Sequence, residues 1–245
     1  MRNIKATIEY DGTDFCGFQI QPSDRTVQGE LERAGGMIFP GRRFKILGAG
    51  RTDSGVHATG QVISFGVPEA FPVDRLCGAL NGVLSGDVRV KRILEVPDSF
   101  HPRYSAKSRT YVYVVLNRVQ GSALLRRYTW HVRKPLSIEA IRSAAAEFIG
   151  IRDFASFGMP HKSGGCTVRE IQDIKIRSRG DAILFHIRGN AFLKGMARTI
   201  AGTLVEAGRG ELDPRDIAKI MGMRDRRKIR VTAPPQGLFL TRVEY

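Results

Sequence analysis

The 245-residue chain is short of several things, and each shortage excludes something. No apolar run approaches the ~20 residues that a membrane-crossing helix needs, so no membrane partner is expected. Its three cysteines, Cys16, Cys77 and Cys166, are widely separated and include no CxxC pair. An odd, dispersed set offers neither a disulfide framework nor a zinc site, and a reducing cytoplasm is the compartment it implies. The five histidines are scattered too. Asp53 with His57 or His101 is the one grouping to weigh as a metal site, but its four-residue spacing falls in a glycine-rich loop and not on a helix. No metal is expected. With no redox or phosphate-loop motif, no cofactor is expected either. Met1-Arg2-Asn3-Ile4 enters a strand pattern directly, without the features of a leader peptide.

Acidic residues are the last deficit: 24 Asp and Glu stand against 39 Lys and Arg, a net charge of +15. A polyanionic partner follows from such an excess. Its distribution is uneven. Residues 1–105 hold 13 cations and 12 carboxylates, whereas residues 106–245 hold 26 and 12. The polyanion is therefore expected to lie mainly across the second half.

What is present is a repeated order of elements. Ile4, Ala6, Ile8 and Tyr10 alternate with polar residues, the pattern of a half-buried strand. Thr26 reads as an N-cap, with Val27, Leu31, Ala34 and Ile38 along one helical face. Lys45-Ile46-Leu47 is a short strand and residues 61–66 another. Pro72 to Leu84 suits a helix, with Leu76, Leu80 and Val83 in register, and a strand runs from Asp87 to Val96. This β-α-β-β-α-β order is the split βαβ pattern of ferredoxin-like and RRM-like domains. The second half repeats it. Arg109 to Asn117 is a strand, and Ser137 caps a helix carrying Ile138, Ile141, Ala145 and Phe148, stopped by Gly150. Residues 169–177 and 182–188 form a hairpin. A long helix follows from about Ala191 to Ala207, then a short one with Asp213 as N-cap and Pro214 at its first position. Gly237 to Tyr245 closes the chain as a strand. The expected fold class is α/β (α+β): two RRM-like halves, 1–105 and 106–245, with antiparallel sheets flanking a central cleft. Element order alone carries the duplication, since the halves share no direct sequence identity.

The stretch Gly48-Ala-Gly-Arg-Thr-Asp-Ser-Gly-Val-His-Ala-Thr-Gly-Gln61 concentrates reactive side chains. Glycines at that density mean a tightly turning backbone or close approach by another molecule. It is either a decorated surface turn, with Asp53 bonding its own backbone, or a loop that carries chemistry. In the late helix, Phe192, Leu193, Met196, Ala197, Ile200, Leu204 and Val205 are apolar around most of the circumference. Lys194, Arg198, Gly202 and Glu206 share one face of it. A charge such as Arg198 inside a buried helix needs a partner. Glu206 and Asp173 are structural candidates, and Asp53 is the best-placed carboxylate across the cleft. Tyr111 and Tyr113 share one strand face, where a tyrosine serves as core or as a site residue. Arg224-Asp-Arg-Arg-Lys-Ile-Arg230 holds five cations in seven residues and suits phosphate contact.

Residues 50–58, Gly-Arg-Thr-Asp-Ser-Gly-Val-His-Ala, resemble the G-R-T-D-x-G-V-H-A motif of the TruA family of tRNA pseudouridine synthases. The likeness extends along nearly the whole chain: Tyr10-Asp11-Gly12-Thr13, Gly17 to Gln21, Phe100-His101-Pro102-Arg103, Arg109 to Tyr113, Phe192-Leu193 with Met196-Ala197-Arg198 and Gly202, and Ala233-Pro234 with Gly237-Leu238. Ser54 stands where the family usually has alanine, and Phe18 where it has tryptophan. Lys194-Gly195 replaces bulkier residues. The resemblance implies two RRM-like halves and a homodimer that converts uridine to pseudouridine at positions 38, 39 and 40 of the tRNA anticodon stem-loop. Carried over by position, Asp53 is the catalytic aspartate, Tyr111 packs on the target base, and Arg198 pairs with Asp53. Arg51 enters the RNA to hold the target nucleotide out. Outside that carry-over, the charge excess makes Lys194, Arg226, Arg227 and Lys228 further expected RNA contacts.

Overall fold

A computed structural model of the chain describes residues 1–160 and 164–245. Two compact units emerge, Met1–Lys107 together with Leu240–Tyr245, and Ser108–Phe239. The sequence division had placed the whole closing strand with the second half, whereas its last residues belong to the first unit.

In the first unit, β1 (Arg2–Tyr10) is followed by α1 (Val27–Ile38), β2 (Leu47–Gly48), β3 (His57–Val67), α2 (Val73–Val83) and β4 (Val88–Val96). The strands lie in the order β4-β1-β3-β2, all neighbours antiparallel. This is the order of a split βαβ arrangement. Ile4, Ala6, Ile8 and Tyr10 of β1 are buried, as alternation requires. They meet the faces of α1 (Val27, Leu31, Ala34) and α2 (Leu76, Leu80) in the core. Each buried Val, Leu or Ile among them contributes about 1.5–3 kcal/mol. Thr26 Oγ1 accepts the Gly29 N–H at 3.2 Å, capping α1 as its position suggested. Gly35 is required where it stands, because a Cβ would lie 2.0 Å from the Phe44 ring. Two boundaries moved. The second strand is only Leu47–Gly48, and β3 begins at His57, so the last third of the glycine-rich stretch is strand and not loop.

The second unit runs β5 (Ser108–Asn117), β6 (Trp130–Val132), α3 (Ile138–Ala146), β7 (Gly150–Asp153), β8 (Val168–Arg179), β9 (Ala182–Gly189), α4 (Met196–Gly208) and α5 (Asp216–Met223). Its sheet order is β5-β9-β8-β7, antiparallel throughout, with the short β6 added parallel to β5. Ser137 Oγ accepts the Ala140 N–H and starts α3. The helix ends at Ala146, and Gly150 (φ 102°) opens β7 instead of stopping α3. Asp213 accepts the Arg215 N–H at 2.9 Å in a turn ahead of α5, and α5 itself begins at Asp216. The largest correction concerns α4. It starts at Met196, because Gly195 is left-handed (φ 75°) and Lys194 pairs through its backbone with Met159. Lys194 is therefore not on the helical face that carries Arg198.

β10 (Leu238–Glu244) closes the chain and lies beside β3. Gly60 permits this approach, since a Cβ there would stand 2.1 Å from Thr241 O. Among the described residues no helix is long and apolar enough to cross a membrane.

Candidate active site

The peptide frame of Asp53 is fixed from three sides within the first unit. On the N-terminal side, the buried Thr52 places Oγ1 2.8 Å from the Tyr10 hydroxyl at the end of β1. Thr52 O accepts the Phe18 N–H at 3.1 Å, and this contact is close because Gly17 (φ 88°) has no side chain. A Cβ on Gly17 would meet Thr52 O at 2.9 Å. On the C-terminal side, Asp53 O accepts the Val56 N–H at 3.1 Å, with Gly55 at φ 75°. Positive φ at the third position is what a type II turn requires, and glycine adopts it without strain. Phe15 O accepts both the Gly55 N–H (3.3 Å) and the Ser54 hydroxyl (3.2 Å). The flanks are held as well. The fully buried Gln61 donates from Nε2 to Gly50 O at 2.8 Å. His57, 1% exposed, accepts the Gly12 N–H on Nδ1 at 2.9 Å. The Asp53 side chain itself is half-buried, while Arg51 is exposed. A carboxylate on so constrained a backbone has few positions to choose from, which is the condition for positioning it against a reacting atom.

The second unit carries the other candidates. Tyr111 sits opposite Ile187 in the β5/β9 register, 7% exposed, its ring edge-on to Phe192 at 4.8 Å. Tyr113 is fully buried, and its hydroxyl donates to Pro234 O at 2.8 Å. Burial pushes the Tyr113 phenol pKa up, and the Arg198 charge works against that rise. Tyr113 is thus the core tyrosine of the pair.

Arg198 is the only α4 residue that is not buried. Its Nε donates to Ala233 O at 2.8 Å, and Ala233 N donates back to Arg198 O at 3.1 Å. The chain from Ile229 to Ala233 runs along α4 as an extended strap. One turn on from Arg198, a Cβ at Gly202 would lie 2.4 Å from Val231 O. Neither structural partner named for Arg198 meets it: Asp173 pairs with Lys175 at 3.0 Å, and Glu206 lines a cavity two turns away.

The basic run is partly neutralised. Arg224 pairs with Asp153 at 2.9 Å and Arg227 with Asp225 at 2.9 Å. Lys194, Arg227 and Lys228 are exposed. Arg226 lies against Gly195 at the start of α4, its Nη1 buried and without a hydrogen-bond partner among the described residues.

A profile of the tRNA pseudouridine synthase family matches residues 6–105 and 144–245. The chain belongs to this family. It is 45% identical over 238 residues to the tRNA pseudouridine synthase A of Halalkalibacterium halodurans, covering 97% of this chain and 90% of that one. The corresponding protein of Anoxybacillus flavithermus is 43% identical, covering 100% and 99%, and that of Geotalea uraniireducens 40%, covering both chains in full. Family membership makes the chain an enzyme, an isomerase acting on tRNA, on a mixed α/β fold.

Sequence reasoning missed several residues on which this family member's loop depends. Tyr10, Gly12, Thr52 and Gln61 were read as strand, turn or motif letters, yet each holds the loop. Gly12 is the sharpest case, since a Cβ would lie 2.1 Å from Val56 O. The only signal for it was a glycine directly after a strand, and that reads as an ordinary turn.

Proposed function

We propose that this enzyme isomerises uridine to pseudouridine at positions 38, 39 and 40 of the tRNA anticodon stem-loop, with Asp53 as the nucleophile on a flipped-out uridine. The reaction breaks the C1′–N1 bond, turns the base and joins C1′ to C5. C5 gives up its hydrogen as a proton and N1 regains one, so nothing is oxidised or reduced. Such chemistry needs one ionised carboxylate held beside the sugar and base and shielded from water. The observation that carries the proposal is the frame of Asp53, fixed through Tyr10, Phe15, Phe18 and Gly55. Arg198 supplies the guanidinium that orients the Asp53 carboxylate. The reciprocal bonds to Ala233 support that role by fixing the root of its side chain.

Flipping the target costs a few kcal/mol of stacking. Tyr111 packs on the extruded base and recovers about 1–3 kcal/mol. Arg51 fills the gap left in the RNA. Lys194, Arg226, Arg227 and Lys228 hold phosphates. For Arg226 the support is physical: a cation with an unpartnered donor lies beside Gly195, at the positive end of α4, whose first turn holds no acidic residue. A phosphate there would satisfy the donor and the helix dipole together. The enzyme acts as a homodimer in the cytoplasm.

The test is Asp53→Asn assayed by tritium release from tRNA labelled at uridine C5. Release should disappear while tRNA binding and thermal stability stay near wild type. Continued turnover by this variant would refute the nucleophile assignment.

A further inference from the structure

Two turns along α4 from Arg198, Glu206 is 5% exposed, and among the described residues no hydrogen bond reaches its carboxylate. It faces a cavity of about 260 Å³ formed by α4, α5 and the strap. Its apolar lining is Leu212, Ile220, Met223 and Ile229, and its charged lining, besides Glu206, is Asp216, Lys219, Lys228 and Arg230. Lys219 is committed to Asp216 at 2.8 Å, and Lys228 and Arg230 are exposed. Burial raises the Glu206 pKa, and the nearby Arg230 charge only partly offsets this. The Glu206 carboxylate opens on the cavity, and Thr203 beside it gives its hydroxyl to Thr199 O.

The cavity suits a particular ligand chemistry. A carboxylate has two acceptor oxygens, so it pairs best with two adjacent N–H donors in one plane. The apolar lining accepts a ring. Cations at the mouth accept an anion attached to that ring by a short linker. About 260 Å³ is at the lower edge of small-molecule pockets, enough for one base and too little for two.

We propose that this cavity is a guanine-nucleotide site, in which Glu206 accepts the N1–H and N2–H of guanine and Lys228 and Arg230 hold the phosphate. The nucleotide comes from either of two sources, a free guanine nucleotide or an unpaired guanosine of the RNA substrate. The second source rests on the RNA-modifying function proposed above, and the first does not.

Calorimetric titration of the full chain with GMP, IMP and AMP tests the first source. IMP keeps N1–H and lacks the N2 amine, so it should bind about ten-fold more weakly than GMP, and AMP more weakly still. Glu206→Gln, which keeps the shape but replaces one acceptor by a donor, should bring GMP down to the IMP level. The second source is tested by anticodon stem-loop RNA in which unpaired guanosines are replaced by inosine. Its affinity should fall by a similar factor for the wild type and not for Glu206→Gln. Discrimination in either arm supports the site. Failure to discriminate in both arms, or discrimination that survives Glu206→Gln, overturns it. Binding of GMP by a protein that forms no pseudouridine would refute the RNA-modifying function and leave the site standing.

Discussion

Replacing Tyr10 by Phe removes one oxygen and tests whether the frame of Asp53 matters for catalysis. The Tyr10 hydroxyl and Thr52 Oγ1 are 2.8 Å apart, with the two residues 4% and 7% exposed. Losing the bond while leaving Thr52 Oγ1 without that partner should cost about 1–2 kcal/mol. In a chain of this length that lowers Tm by roughly 2–8 °C. The second consequence is the informative one. Thr52 precedes Asp53, the proposed nucleophile, so a looser Thr52 lets the carboxylate drift, and displacements of order 1 Å cost about 100-fold in rate. A partial loss of the frame should lower kcat by about ten-fold, with KM for tRNA nearly unchanged because no RNA-contacting cation is touched. A double-mutant cycle with Thr52→Val isolates the pair. If the bond is responsible, the combined variant should be no worse than either single one, with a coupling of about 1 kcal/mol in stability and a matching coupling in kcat. Strictly additive effects, or an unchanged kcat in a destabilised Tyr10→Phe protein, would show that this bond does not position Asp53.

Gly202→Ala places a Cβ 2.4 Å from Val231 O and should push the strap off α4. A stability loss of about 1–3 kcal/mol is expected. Because Arg198 is bonded to the same strap, kcat should fall beyond what the lost folded population accounts for, and a purely proportional fall would refute the link. For Glu206 the sign of the pH effect is set by its raised pKa. The folded state holds the proton more tightly than the unfolded chain, so this residue makes stability fall as pH rises from the ordinary carboxylate range through its folded value. Glu206→Gln should therefore gain stability over wild type as pH increases, measured as the difference between the two unfolding curves. The difference cancels the opposite slope from Glu30, which its Arg33 hydrogen bond holds down to about 2. A difference that shrinks with rising pH would contradict this. Among the basic residues, Arg226→Ala should reduce the salt slope of tRNA binding by about 0.7–0.9, one phosphate contact. Arg227→Ala should reduce it less, since Asp225 already occupies that guanidinium.

How much could be read from the chain depended on the range of the interactions. Alternation along Ile4-Ala6-Ile8-Tyr10 and the cap at Ser137 are local, and both were legible. The start of α4 was misplaced because Phe192 and Leu193 continue the apolar spacing of the helix. Gly195 and the backbone pairing of Lys194 with Met159 break it, and that pairing spans 35 residues. β6 and β7 are three and four residues long, too short to show a period, and they exist only through distant partners. The boundary at His57 reads as loop because Gly55 and Gly60 stand on either side of it and glycine is depleted in strands. Gly60 is there to let another chain segment come close, which only the fold reveals. For the candidate site, Asp53, Tyr111 and Arg198 were named from the motif pattern. The supports at Tyr10, Gly12 and Gln61 were not, because their contacts join residues 11 to 45 positions apart.

The strap beside α4 has a thermodynamic consequence. The same few residues anchor Arg198 through Ala233, sit over Gly202 through Val231, and wall the Glu206 cavity through Ile229 and Arg230. At Gly202 the strap lies so close to α4 that a methyl group would not fit. Any free energy by which an occupant of the cavity moves the strap is felt at Arg198. By linkage, whatever engages Arg198 must change the affinity of the cavity by the same factor.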